Sequence, residues 1–133
     1  MNNKEERVQC QKLWAKNKYL VLSHSSKIYL EIRKYLKQEE VSLSKVSDLI
    51  KQAVSSPEDK GQITNALHHV WGYFKKYATK EEKDNFFEMI EEYNNIYKKE
   101  DLIKEVKHLL NKYPNKYLEE STFINGGQDE TLA

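Results

Sequence analysis

The chain has 133 residues, of which 38% are hydrophobic and 32% charged, with a net charge of +1; this fits one ordinary domain and excludes disorder driven by charge. Its single cysteine, Cys10, excludes an internal disulfide and a cysteine metal cluster, and no stretch approaches the roughly 18 apolar residues of a membrane helix. The near-neutral total hides an asymmetry, because residues 1–37 carry nine Lys or Arg against three Glu, a net of +6, and the remainder 13 against 18, a net of −5.

The first helix is predicted to run to about His24 with Val8, Leu13, Trp14, Leu20 and Val21 inward. The opening MNNKEERVQCQK lacks the apolar core of a secretory signal, so a cytoplasmic protein is expected. SHSSK, Ser23 to Lys27, reads as a break, since serines compete for backbone hydrogen bonds. A second helix places Ile28, Ile32, Tyr35 and Leu36 on one face. SLSKVSDLIKQAV gives a third, with Val46, Leu49, Ile50 and Ala53 inward.

The start of the fourth helix is predicted at SSPED, with Ser56 as cap, Pro57 at the first helical position, and Glu58 and Asp59 at the positive helix end. The fifth starts at TKEE, where Thr79 and Glu82 have capping-box spacing, and its apolar face is Phe86, Phe87, Ile90, Tyr93 and Tyr97. The sixth, from about Glu100, carries Leu102, Ile103, Val106, Leu109 and Leu110 until Tyr113-Pro114 stops it. A short helical turn and an extended apolar tail complete a single domain over 1–125, and 126–133 reads as disordered. Four glycines and two prolines are too few for strands joined by tight turns. The fold class expected is all-α, a compact bundle of about six helices with a short extended C-terminal tail.

The fourth helix has an unusual composition. In TNALHHVWGYFKK, a turn of about 100° per residue puts Ile63, Leu67, Val70, Phe74 and Tyr77 on a core stripe. Asn65, His69, Gly72 and Lys76 fall opposite, and His68 points between. Gly72 costs about 1 kcal/mol against alanine inside a helix, so either a closely packed helix or a ligand or partner surface is expected at this stripe. The charge asymmetry has a parallel pair of readings: basic and acidic helices attracting one another, or a basic face meeting a polyanion. His24 beside Ser25 suggests a nucleophile and its base, but adjacency in sequence does not make that geometry, and a capping role fits as well. The four histidines lack metal-ligand spacing. No motif supports a cofactor or catalysis by this domain alone.

KYLVLSHSSKIY (Lys18 to Tyr29), TNALHHVWGYFKK (Thr64 to Lys76) and KYPNKYLEESTFIN (Lys112 to Asn125) together resemble the YbgA-like family, a bacterial domain classed as of unknown function. The matching residues are Lys18, His24, Ser25 and Tyr29, then Thr64, Asn65, His69, Gly72, Tyr73 and Phe74, then Tyr113, Pro114, Tyr117 and Leu118. Family members often have His, His and Gln where this chain has Trp14, Ile63 and Trp71, which implies a drier pocket. The family's domain also occurs behind a thiouracil-desulfidase-like domain, so the resemblance implies an accessory role near modified nucleobases or RNA. The expected surface for RNA or a nucleobase comprises Lys18, His24, Ser25, Tyr29, Asn65, His69, Gly72, Tyr73 and Lys76. The alternative is a protein–protein module that docks on a desulfidase-like partner through an apolar patch near Trp14, Trp71 or Phe123. A third reading, small-molecule catalysis, needs His24 and His69 side by side.

Overall fold

The computed structural model describes residues 3–126. Over that range the fold is all-α, with α1 (Asn3–His24), α2 (Ser26–Tyr35), α3 (Leu43–Ser55), α4 (Lys60–Trp71), α5 (Lys80–Glu91), α6 (Lys99–Lys112), α7 (Lys116–Glu119) and α8 (Thr122–Asn125). The short helical turn expected near the end is α7, and α8 stands where the sequence suggests an extended tail. Ser121 O accepts from the amides of Ile124 and Asn125, and Gly126, at φ 63°, closes α8 in the left-handed conformation that suits glycine. The expected disorder of 126–133 lies, from residue 127 onward, outside the described residues.

α1 is the centre of the bundle and packs on α2, α3, α4 and α8. Its buried residues include Tyr19, Val21, Leu22 and Ser23, close enough in sequence to spread around the helix. Val8, expected inward, is exposed. Ile28, Tyr29 and Ile32 of α2 and Val46, Leu49, Ile50 and Ala53 of α3 close over α1. The helix break falls at Ser25, whose hydroxyl accepts from Ile28 N at 3.1 Å and caps α2.

The cap of α4 differs from the one expected. Ser56 terminates α3, and Asp59 caps α4 by accepting from Gln62 N at 2.8 Å. Both residue types cap well; the chain uses the later one, and Pro57 and Glu58 belong to the connecting segment. At its other end α4 stops at Trp71, and the chain continues in tighter turns, with Gly72 N bonded to His69 O and Tyr73 N to Val70 O. That change of pitch turns Tyr77 off the core stripe, leaving it 67% exposed, although Ile63, Leu67, Val70 and Phe74 are buried as expected.

α5 and α6 pack together, and the capping box at Thr79 and Glu82 is present. Tyr93 and Tyr97 lie beyond α5, in a turn where Asn94 takes φ 72°. Asparagine enters this left-handed region more readily than most residues; α5 has already ended at Glu91, ahead of both tyrosines. Tyr93 is buried all the same.

Glu82 ties the start of α5 to the end of α6. Its carboxylate accepts from Thr79 N at 2.8 Å, from the Tyr113 hydroxyl at 2.7 Å and from Lys112 Nζ at 3.1 Å. The Thr79 amide, then the Tyr113 hydroxyl and Lys112, hold its pKa down from an ordinary 4.5 to about 2. The unfolded chain therefore binds a proton at higher pH than the folded one does. The stability from this carboxylate is full above about pH 4.5 and disappears as pH falls through about 2. Glu82→Gln should lower the melting temperature near neutrality and flatten its decline between pH 4.5 and 2. Thermal unfolding across that range checks this; identical acid slopes in both proteins would refute it.

Candidate functional site

α1 and α4 lie side by side in opposite directions. Just after α1, Ser26 N meets the Gln62 side chain early in α4, whereas Tyr19 meets His69 and Tyr73 at the far end of that helix. The second meeting point gathers aromatic rings from four segments. Tyr19 and Tyr73 share a hydroxyl–hydroxyl hydrogen bond of 2.8 Å with their rings edge to face. Tyr73 stacks on Tyr117 of α7, with ring centroids 5.8 Å apart and planes 15° apart. Tyr29 of α2 joins through His69, whose ring centroid is 6.4 Å from Tyr29 and 6.5 Å from Tyr19.

Burial and the Tyr73 hydrogen bond push the Tyr19 phenol far above its ordinary pKa, and burial raises Tyr117 as well. Both phenols are neutral near pH 7; Tyr19 acts as a hydrogen-bonding ring and Tyr117 as a stacking one, neither as a base. Cations border the cluster. The Lys18 ammonium sits 5.3 Å from the Tyr19 centroid and 5.4 Å from that of Tyr117, and the Arg33 guanidinium is 5.8 Å from Tyr29. Such placements attract the cation to the electron-rich ring face.

The unusual stripe on the fourth helix faces solvent: Asn65, His69, Gly72 and Lys76 are all exposed. Of the two explanations for Gly72, close helix packing is therefore not the one the structure adopts. Gly72 is the C-cap of α4 rather than an interior residue. An added Cβ would come within 3.1 Å of the His69 carbonyl. The Gly72 backbone, at φ −53° and ψ −26°, is right-handed, so the turn itself does not require glycine.

The structure thus brings Lys18, Tyr29, His69 and Tyr73 together, with Asn65, Gly72 and Lys76 on the exposed side of the same segment. His24 and Ser25 have other partners. The His24 Nδ1–H donates to Ser56 O at 2.6 Å, because a carbonyl can only accept, and Nε2 lies 3.8 Å from the Glu58 carboxylate. Ser25 serves as the α2 cap. The catalytic reading needed His24 beside His69; His24 instead faces Ser56 and Glu58 while His69 lies between Tyr19 and Tyr29.

Glu58 is a junction that sequence reasoning missed. It pairs with Lys99 Nζ at 2.6 and 2.8 Å and accepts from the buried Ser23 hydroxyl at 3.2 Å. Its position in an apparent helix start suggested a dipole role, and nothing local points to Lys99, 41 residues away. Tyr19 and Tyr117 were missed as site residues as well. Tyr117 stood inside a stretch matched to the family, which was the available signal. Tyr19 stood inside another such stretch, Lys18 to Tyr29, but was not among the matched residues, and only its long-range partners distinguish it.

Tyr117 also lines a groove of about 450 Å³ between α1 and α7, with Lys12, Ala15, Lys16, Lys116 and Glu120. Among the described residues, the lysine–carboxylate pairs are Lys99–Glu58 and Lys112–Glu82. Neither of these two pairs uses a lysine of the basic first third. The anchors proposed for a docking patch are buried, with Trp14 at 9%, Trp71 at 6% and Phe123 at 3% exposure. Ile63 is buried too, so the three departures from the family pattern are apolar core positions; Trp14 lies against Tyr29 with 5.4 Å between ring centroids.

No group of three or more His, Cys, Asp or Glu among the described residues is placed to hold a metal ion, and no helix there is long and apolar enough to cross a membrane. The model of a family described as protein of unknown function (DUF1722) matches residues 18–126. No curated protein and no solved structure gives a match. The match covers most of the chain and includes all three stretches that resemble the YbgA-like family, which carries this domain: the chain belongs to the DUF1722 family.

Proposed function

We propose that this member of the DUF1722 family is an accessory binding module for RNA or a modified nucleobase, and that its binding face is the exposed His69 with the half-buried Tyr73 and Lys18, backed by the buried rings of Tyr19 and Tyr29. The observation that carries this reading is the exposed His69 imidazole held against Tyr19 and Tyr29, with Lys18 at the edge of the same cluster. Bases stack on rings whatever their sequence, and phosphates favour nearby lysines. The hydroxyl bond between Tyr19 and Tyr73 fixes the rings in advance, so little ordering remains to be done on binding.

The test is a set of amide spectra of labelled protein with bulk transfer RNA at low and near-physiological salt. Shifts should cluster at Lys18, Tyr29, Asn65, His69, Tyr73 and Lys76 and fade as salt rises. His24 and Ser25 should move less, since their side chains are engaged elsewhere. His69→Ala should weaken binding roughly tenfold, in line with about 1–3 kcal/mol per base stacked on a ring. His69 is exposed, so the variant should keep the wild-type melting temperature. Unchanged spectra with transfer RNA and with uridine monophosphate, at both salts, would refute the reading.

A further inference from the structure

We infer that the ligand is a single-stranded stretch of RNA. It crosses the exposed His69 and the half-buried Tyr73 and Tyr117 with its bases, over the buried Tyr19, and lays its backbone in the groove of Lys12, Lys16 and Lys116. This rests on the proposed function and specifies the ligand at that site.

The contacts form one continuous strip. His69 neighbours Tyr19, Tyr19 is bonded to Tyr73, and Tyr73 is stacked on Tyr117. Tyr117 is in turn a wall of the groove that holds Lys12, Lys16 and Lys116. Lys18 sits at the junction, with its ammonium near both Tyr19 and Tyr117. A free base would occupy one ring of such a strip and leave the lysine groove unused. A duplex would engage the lysines, but its bases already stack on one another and their faces are closed to His69. A single strand uses both ends, with unstacked bases on rings and phosphates on lysines.

The groove has the geometry for a backbone. Lys12 and Lys16 are one turn apart on α1, about 6 Å along the axis, and Lys116 stands on the α7 side. All three are exposed. Glu120 also lines the groove, so three ammonium groups face one carboxylate there and the local charge remains positive.

Fluorescence anisotropy would compare a labelled 12-nucleotide single-stranded RNA, the same sequence as a blunt duplex, and uridine monophosphate as a competitor. The single strand should bind at least tenfold more tightly than the duplex. The triple variant Lys12→Gln, Lys16→Gln, Lys116→Gln should lower single-strand affinity at low salt. It should also flatten the slope of log affinity against log salt by about 2, since each phosphate contact to a single strand contributes about 0.7. Circular dichroism would confirm that this surface variant is folded. A duplex that binds as well as the single strand, or a triple variant with an unchanged slope, would overturn the single-strand path. If uridine monophosphate still shifted His69 in that case, the binding face would survive without the path. If neither RNA nor the nucleotide bound the wild-type protein, the proposed function itself would fall.

Discussion

Trp71→Ala should lower the unfolding free energy by about 3–5 kcal/mol, the range for emptying a buried large aromatic site. Trp71 is 6% exposed and lies where α4 meets α5. Its ring stacks on Phe86 at 5.4 Å with 21° between planes, meets Phe87 edge-on at 5.5 Å, and approaches Phe74 at 6.2 Å. Phe74 and Phe86 are themselves fully buried. The alanine variant therefore leaves a void walled by rings already fixed on their other sides, where collapse is least able to fill it. The consequence is larger than local packing, because this cluster joins α5 to the α1–α4 bundle. Chemical denaturation would show a lower midpoint with an unchanged slope if the whole chain still unfolds as one unit. A loss below about 1 kcal/mol would contradict the assigned packing. Trp71→Phe should recover part of the loss, since a smaller ring can still meet Phe86.

The same cluster shows which features could be read from the sequence. Helical periodicity places Ile63, Leu67, Val70 and Phe74 inward, and local capping chemistry places the start of α5 at Thr79. Both are properties of neighbouring residues. The pattern fails at Tyr77 because it assumes one constant pitch, whereas the chain tightens at Gly72. It places Tyr93 and Tyr97 against the core correctly but carries the helix too far, since α5 ends at Glu91. It fails at Ser56 because two good caps lie three residues apart and only tertiary contacts choose between them.

The site divides in the same way. That Asn65, His69, Gly72 and Lys76 share one side followed from their angle, which is local information; that this side faces solvent did not, because only the packing of the other helices decides it. Which residues surround His69 did not follow, because Tyr19 and Tyr73 are 54 residues apart in sequence. The family resemblance helped at Tyr29 and Tyr73. It grouped His24 and Ser25 with them, although the fold gives those two residues capping and linking contacts near Glu58.

Asn17→Ala should cost about 1–3 kcal/mol, the range for losing a buried polar partner, and should loosen the C-terminal helices selectively. Asn17 is fully buried on α1. Its Nδ2 donates to Leu13 O at 3.0 Å, and its Oδ1 lies 2.8 Å from the Thr122 hydroxyl, which is also within 3.1 Å of Lys16 O. These contacts bind α8 to the middle of α1 across 105 residues of sequence. α8 packs against α7, and α7 holds Tyr117 against Tyr73. A polar bond in the core therefore sets the position of one ring of the binding face. Hydrogen exchange followed by mass spectrometry should show faster exchange over residues 116–125 in Asn17→Ala, with α3 protected as in wild type. RNA affinity should fall along with that protection. Thr122→Ser keeps the hydroxyl and should preserve both. Uniform loss of protection along the whole chain would show that Asn17 supports the bundle in general rather than the placement of α7 and α8. Selective loss with full RNA affinity would instead remove Tyr117 from the binding face and confine that face to His69 and its neighbours on α1, α2 and α4.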